Sequence, residues 1–146
     1  MGVGPHADEK RNCRNQAGEL DAMTEQPLLA RASELFNRKL YFECHDLLED
    51  AWTDSHGPER DFLQALIHVA VGMYHVAAGN YKGAVSQLGE GVQALERFRP
   101  ERGGLDVGGL LAGAQRCLEK SEQALAGEAV VWSLGDVPRM NYRGLV

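Results

Sequence analysis

The sequence predicts an all-α fold, arranged as a compact bundle of about five helices built from helical hairpins. From Pro27 onward, apolar residues recur with the period of an amphipathic helix, and strand-like alternation is almost absent. Short segments rich in Gly, Pro and Asn interrupt this pattern. The chain has 146 residues, the length of one ordinary domain, so a single hydrophobic core is enough to hold the helices together.

Most of the expected helices have a recognisable start or end. Pro27 and Pro58 suit the first turns of the first and third helices, where the N–H that proline lacks is not needed. The segments "HGPERD" and "AGN" are typical of turns, and "RPERGG" ends the fourth helix. Gly108, Gly109 and Gly113 weaken the fifth. We expect helices at about residues 27–38, 41–55, 58–78, 81–98 and 105–126.

The two ends of the chain are expected to differ from the bundle domain at residues 26–128. Residues 1–25 are polar and charged and have no apolar period, so we expect them to be disordered. Met23 stands just before a helix start, and translation from Met23 is an alternative explanation of the residues that precede it. Residues 129–146 are irregular and apolar in places, and we expect this C-terminal tail to dock on the bundle.

A weak internal sequence repeat supports an arrangement of helical hairpins. With an offset of 40 residues, "RKLYFECHDLL" aligns with "AGNYKGAVSQL", so that Tyr41 matches Tyr81 and the small Cys44 matches Ala84. A tight turn, an aromatic residue and a small residue three positions later are typical of the second helix of a tandem helical hairpin. The bundle is therefore expected to be weakly tetratricopeptide-like.

Composition excludes several classes of protein. The formal net charge of -6 argues against a nucleic-acid partner, because such proteins usually present a basic face to phosphate. No uncharged apolar run reaches the roughly 18 residues of a membrane span, so no membrane association is expected. Cys13, Cys44 and Cys117 are odd in number and form no CxxC pair, which favours neither a disulfide framework nor a zinc knuckle. A cytoplasmic location is expected.

The stretch "YFECHDLLEDAW" contains the first candidate site residues. At 100° per residue, one face of the second helix collects both polar and large apolar side chains. An ionisable pair on such a face must be hydrogen-bonded, since burying it unpaired costs several kcal/mol. This face carries Tyr41, His45, Leu48, Glu49 and Trp52.

The third expected helix, "DFLQALIHVAVGMYHVAAG", is apolar nearly all round and is therefore predicted to be the buried centre of the bundle. Its polar exceptions, Gln64, His68 and His75, fall on one stripe. Because consecutive helices joined by a short turn usually pack antiparallel, we expect this stripe to meet His45 and Glu49 on the second helix.

Three interpretations of this polar cluster remain open. The first is a buried hydrogen-bond network that specifies how the helices pack. The second is a pocket for a small-molecule ligand or a peptide end, walled by Tyr41, Trp52 and Tyr74. The third is a divalent transition-metal site, because imidazole and carboxylate groups are good ligands for zinc or iron. Its expected ligands are His45, Glu49 and His75.

Two long segments carry a resemblance to a known family. "ELFNRKLYFECHDLLEDAW" followed by "FLQALIHVAVGMYHVAAGNYKGAVSQLGEGVQAL" resembles the DUF309 family of small all-helical proteins over about residues 33–97. The resemblance implies a compact helical fold but no settled activity. His68 departs from the pattern, which more often has glutamine there. The positions characteristic of the family are Phe36, Asn37, Glu43, His45, Glu49, Trp52, Gln64, His75, Gly79, Asn80 and Ala84.

These observations lead to two functional hypotheses. The first is a non-enzymatic cytoplasmic binding or interaction protein, with an unknown protein or small molecule as partner. It would use either the cluster between the second and third helices or a groove of the helical hairpins, as in tetratricopeptide-like modules. The second is a metal-dependent hydrolase or lyase in which His45, Glu49 and His75 hold the ion.

Overall fold

The computed structural model describes residues 26–143. These residues form five α-helices: α1 (Gln26–Asn37), α2 (Tyr41–Thr53), α3 (Gly57–Ala77), α4 (Tyr81–Leu95) and α5 (Val107–Leu125). The predicted all-α bundle is confirmed. The expectation of disorder at residues 1–25 and the alternative start at Met23 lie outside the described residues.

The region between α4 and α5 differs from the expectation. The fourth helix ends earlier than predicted and continues as a 3₁₀ turn, Glu96–Phe98. Two short strands, β1 (Glu101–Arg102) and β2 (Leu105–Asp106), then pair antiparallel as a hairpin. The fifth helix therefore begins at Val107, where the Asp106 carboxylate caps it by accepting from Gly109 N at 3.0 Å.

Helix α3 is the centre of the fold, and the helices pack mainly against their neighbours along the chain. Two glycines bring α3 and α4 close together. A Cβ on Gly72 would lie 2.6 Å from Leu88 Cδ2, and a Cβ on Gly91 would lie 2.7 Å from Val69 Cγ2. Both distances are shorter than real Cβ contacts, so the packing of these two helices depends on the missing side chains.

The internal sequence repeat corresponds to a structural repeat in the turns of two helical hairpins. Lys39 and Gly79, which are 40 residues apart, both have positive φ, 65° and 74°. The backbone hydrogen bonds repeat as well: Leu40 N donates to Leu35 O at 2.9 Å, and Asn80 N donates to His75 O at 2.8 Å. The α1–α2 and α3–α4 turns are therefore built on the same plan.

The described part of the C-terminal tail, residues 129–143, packs along α1, α5 and the β hairpin. Asn37 holds it from α1: its Nδ2 donates to Met140 O at 2.9 Å, and its Oδ1 accepts from Met140 N at 2.8 Å. Asp106 N donates to Asn141 O, and a bridge joins Leu105 to Tyr142. Met140 is consequently only 1% exposed.

A second set of contacts holds the first half of the tail. The Trp132 ring stacks on Tyr81 with the ring planes 7° apart, and Lys120 Nζ lies 5.6 Å from the centre of the Trp132 ring. Lys120 Nζ also lies 2.7 Å from Asp136 Oδ2 and donates to Val131 O.

No helix within residues 26–143 is long and apolar enough to cross a membrane.

Candidate functional site

His45 and Glu49 lie together on α2, as their spacing of one helical turn requires. His45 Nε2 is 3.3 Å from Glu49 Oε2. The side chains are 21% and 52% exposed, so the pair faces solvent on at least one side. A pair exposed to this degree contributes little to stability, which leaves its imidazole and carboxylate available to another molecule.

A chain of ring contacts runs from His45 through Phe42 and Tyr74 to His75 and connects α2 with α3. The Phe42 ring centre lies 5.7 Å from that of His45 and 6.1 Å from that of Tyr74, and Tyr74 lies 5.9 Å from His75. Phe42 is 58% exposed and Tyr74 is 47% exposed. We call Phe42, His45, Glu49, Tyr74 and His75 the α2–α3 surface.

Phe42 belongs to this surface although the sequence patterns did not single it out. It lies one helical turn before His45, at a spacing that places the two side chains on neighbouring positions of the same helix. This spacing of three residues is the sequence signal that could have identified Phe42 as a neighbour of His45. An apolar residue next to the buried Tyr41 reads more simply as part of the core.

Among the described residues, the polar stripe of α3 makes no hydrogen bond to His45 or Glu49, which corrects the expectation. His68 Nδ1 lies 2.9 Å from Gln87 Oε1 on α4. His75 Nδ1 lies 3.2 Å from Nδ2 of Asn80, in the turn before α4, and Gln64 is exposed. His68 and His75 therefore bond toward α4, and Gln64 is left exposed. Since α3 has a packed neighbour on each side, helical periodicity alone does not say which neighbour a stripe meets.

The expected pocket walls are also separated. Tyr41 is buried at 4% exposure, and its ring packs edge-on against Phe36. Burial raises the pKa of the Tyr41 hydroxyl to about 12. Trp52 is half-buried with the Arg60 guanidinium 3.7 Å above its ring. Of the three expected walls, only Tyr74 lies on the α2–α3 surface.

The three expected metal ligands do not form a ligand set. Within residues 26–143, no group of three or more His, Cys, Asp or Glu side chains is placed so that it could hold a metal ion. His45 and Glu49 contact each other and could provide two ligands, whereas the His75 imidazole is hydrogen-bonded to Asn80. A metal site with these three ligands therefore has no geometric support.

The two cysteines of the bundle are structural. Both thiols are buried and free. Burial raises the pKa of Cys44 to about 12 and that of Cys117 to about 11, so neither is a thiolate near neutral pH. Cys44 Sγ instead donates to Ala32 O at 3.4 Å between α1 and α2.

Comparison with known proteins places the helices that carry this surface in a family. Residues 29–87, from α1 into α4, match the model of DUF309, a domain of unknown function. Residues 29–87 of this chain are a DUF309 domain. The family predicted from the sequence is thereby confirmed.

A curated protein similar to this chain is the uncharacterized protein YpuF of Bacillus subtilis strain 168. The two chains are 31% identical over 99 residues, which cover 66% of this chain. The aligned part covers 57% of YpuF, so this chain spans little more than half of that relative.

Several positions characteristic of DUF309 have a structural task in this chain. Phe36 and Ala84 are fully buried, and Asn37 holds the tail. Gly79 adopts a positive φ, and Asn80 caps α4 by accepting from Gly83 N at 3.1 Å. These contacts account for their place in the fold without a ligand. The characteristic residues His45, Glu49 and His75 stand apart from this group because they lie on the α2–α3 surface.

Proposed function

We propose that this DUF309 protein is a non-enzymatic interaction protein that docks a protein partner on the α2–α3 surface. The observation that carries the proposal is the contact between Phe42 and Tyr74. Each is about half exposed, and together they form an aromatic patch across two rigid helices. Single exposed apolar side chains are common, but aromatic residues in contact on rigid elements are typical of interface hot spots.

The charge around this patch favours one class of partner. Helix α2 carries four acidic residues and no Lys or Arg. A partner segment that presents an apolar side chain to Phe42 and Tyr74, with Lys or Arg beside it, would match both the patch and the charge. Glu49 is the acidic group of the surface itself and supplies the nearest carboxylate.

The other hypothesis from the sequence, a metal-dependent hydrolase or lyase, has no comparable observation behind it, because within residues 26–143 His45, Glu49 and His75 are not placed so that they could hold one metal ion. A cytoplasmic location is part of the proposal. It is supported by the free thiols of Cys44 and Cys117, since secreted domains of this size usually oxidise their cysteines. Fractionation of cells that express the tagged full-length chain tests the location, and recovery outside the cytoplasm would contradict it.

Quantitative affinity purification of the full chain tests the docking surface. The test variant is Phe42→Ser combined with Tyr74→Ser, and the matched control is Leu134→Ser, which changes an apolar residue that is 84% exposed on the tail. We expect wild type and control to retain the same partner and the double variant to lose it. Retention should also fall as salt rises, because the partner is basic. Equal retention by all three proteins would contradict the proposal.

A further inference from the structure

A cavity separate from the α2–α3 surface lies between α1 and the C-terminal tail. Its volume is about 520 Å³. One wall is α1 from Ala30 to Asn37, and the other is formed by residues 140–143. The two hydrogen bonds between the Asn37 amide and the Met140 backbone hold these two walls together. Such a volume is in the range of small-molecule sites.

Two hydroxyl groups in the walls of this cavity have no hydrogen-bond partner. Ser33 is only 5% exposed, and its Oγ is buried and unpaired. The Tyr142 hydroxyl is also buried and unpaired. A buried polar group without a partner costs about 1–3 kcal/mol, so each hydroxyl would gain from a side-chain movement that brings it to an acceptor in the cavity.

The charged residues of the cavity define the chemistry of that acceptor. Arg31 and Arg143 line it, and within residues 26–143 neither guanidinium pairs with a carboxylate. Glu34 lines the same cavity and is likewise without an ion pair to a described residue. The cavity therefore offers two planar cations and two hydroxyl donors to an anion, and one carboxylate to a cation.

We propose that this cavity binds a small amino carboxylate, such as a free α-amino acid. The ligand carboxylate accepts hydrogen bonds from Arg31 and Arg143, with Ser33 and Tyr142 as further donors. The ligand ammonium group pairs with Glu34. A phosphate group fits less well, because a second negative charge would face the Glu34 carboxylate without a compensating ammonium.

Methionine methyl NMR on the full chain provides a direct test, because Met140 lines the cavity and Met73 lies in the core. The chain is labelled with ¹³C-methyl methionine and titrated with L-alanine, acetate or inorganic phosphate at constant ionic strength. We expect L-alanine to shift the Met140 signal in a saturable manner and to leave Met73 unchanged. Acetate and phosphate should bind more weakly, since neither carries an ammonium group.

Matched arginine variants connect the shift to the cavity. Arg31→Gln and Arg143→Gln should each weaken L-alanine binding at least about tenfold, the effect of losing one charge-assisted contact. Arg139→Gln is the control, because Arg139 is exposed and does not line the cavity. Glu34→Gln should remove the preference for L-alanine over acetate.

Three results would overturn the proposal. If the wild-type Met140 signal shows no saturable shift with L-alanine, the cavity is not an amino carboxylate site. If acetate or phosphate binds as well as L-alanine, the ligand class is wrong. If Arg139→Gln weakens binding as much as Arg143→Gln, the effect reflects overall charge rather than the cavity.

Discussion

Replacing Asn37 by alanine tests whether a characteristic DUF309 residue acts through the fold. The substitution removes both hydrogen bonds between the Asn37 amide and the backbone of Met140. It leaves α1 otherwise intact, since alanine has the highest helix propensity. We therefore expect loosening of the C-terminal tail rather than loss of the bundle.

The expected magnitude comes from the two hydrogen bonds and from Met140. Each hydrogen bond contributes about 1 kcal/mol net, so their loss lowers the free energy of unfolding by about 2 kcal/mol. Met140 is 1% exposed, and if the tail detached fully this side chain would be exposed to water. The free energy of unfolding would then fall by a further ~1.5–3 kcal/mol. The bond from Asp106 N to Asn141 O and the bond from Arg143 N to Gly104 O remain, which favours the smaller value.

Urea unfolding followed by circular dichroism measures this change. The matched control is Asn141→Ala, because the Asn141 side chain is exposed and makes no hydrogen bond to another described residue. The control should stay within about 0.5 kcal/mol of wild type, as for other surface changes. If Asn37→Ala is as stable as the control, the two hydrogen bonds to Met140 do not hold the tail, and the interpretation of Asn37 as a structural residue is refuted.

Two further predictions concern helix packing and pH. Gly91→Ala should lower the free energy of unfolding by about 1–2 kcal/mol, because its Cβ would lie 2.7 Å from Val69 Cγ2. Gly89→Ala, with open space at its Cβ, should raise it by about 0.5–1 kcal/mol in the same urea titration; equal effects would refute the close approach of α3 and α4. The hydrogen bond from Lys120 lowers the pKa of Asp136 to about 2. The stabilisation is therefore present above the usual aspartate pKa, about 4, and is lost as the pH falls toward 2. The thermal midpoint should fall across this range in wild type and fall less in Asp136→Asn, whereas parallel curves would show that Asp136 does not contribute.

Much of the architecture follows from the sequence because it depends on local signals. The helical period runs through every helix, and Pro58, Gly79 and Asn80 stand where their backbone preferences place them, at a helix start, in a turn and at a cap. The hairpin between α4 and α5 was missed because each strand has two residues, too few to show alternation. The fourth helix was extended to residue 98 because the apolar period continues from Leu95 to Phe98, where the backbone tightens from α to a 3₁₀ turn.

The candidate site was less predictable because it depends on which helices meet. The spacing of His45 and Glu49 predicted their contact, which involves one helix only. The direction of His68 required knowing that this side of α3 faces α4. The exposure of Phe42 depends on what the rest of the chain leaves uncovered, and helical periodicity does not contain that information.

Site-specific photo-crosslinking measures most directly whether the α2–α3 surface docks a partner. A benzoylphenylalanine side chain in place of Phe42 probes the surface in living cells, and the same side chain in place of Leu134 probes the exposed tail. The proposed function predicts a discrete adduct from position 42 that is absent from position 134 and is lost when Tyr74→Ser is added. No adduct from position 42, or the same adducts from both positions, would contradict it.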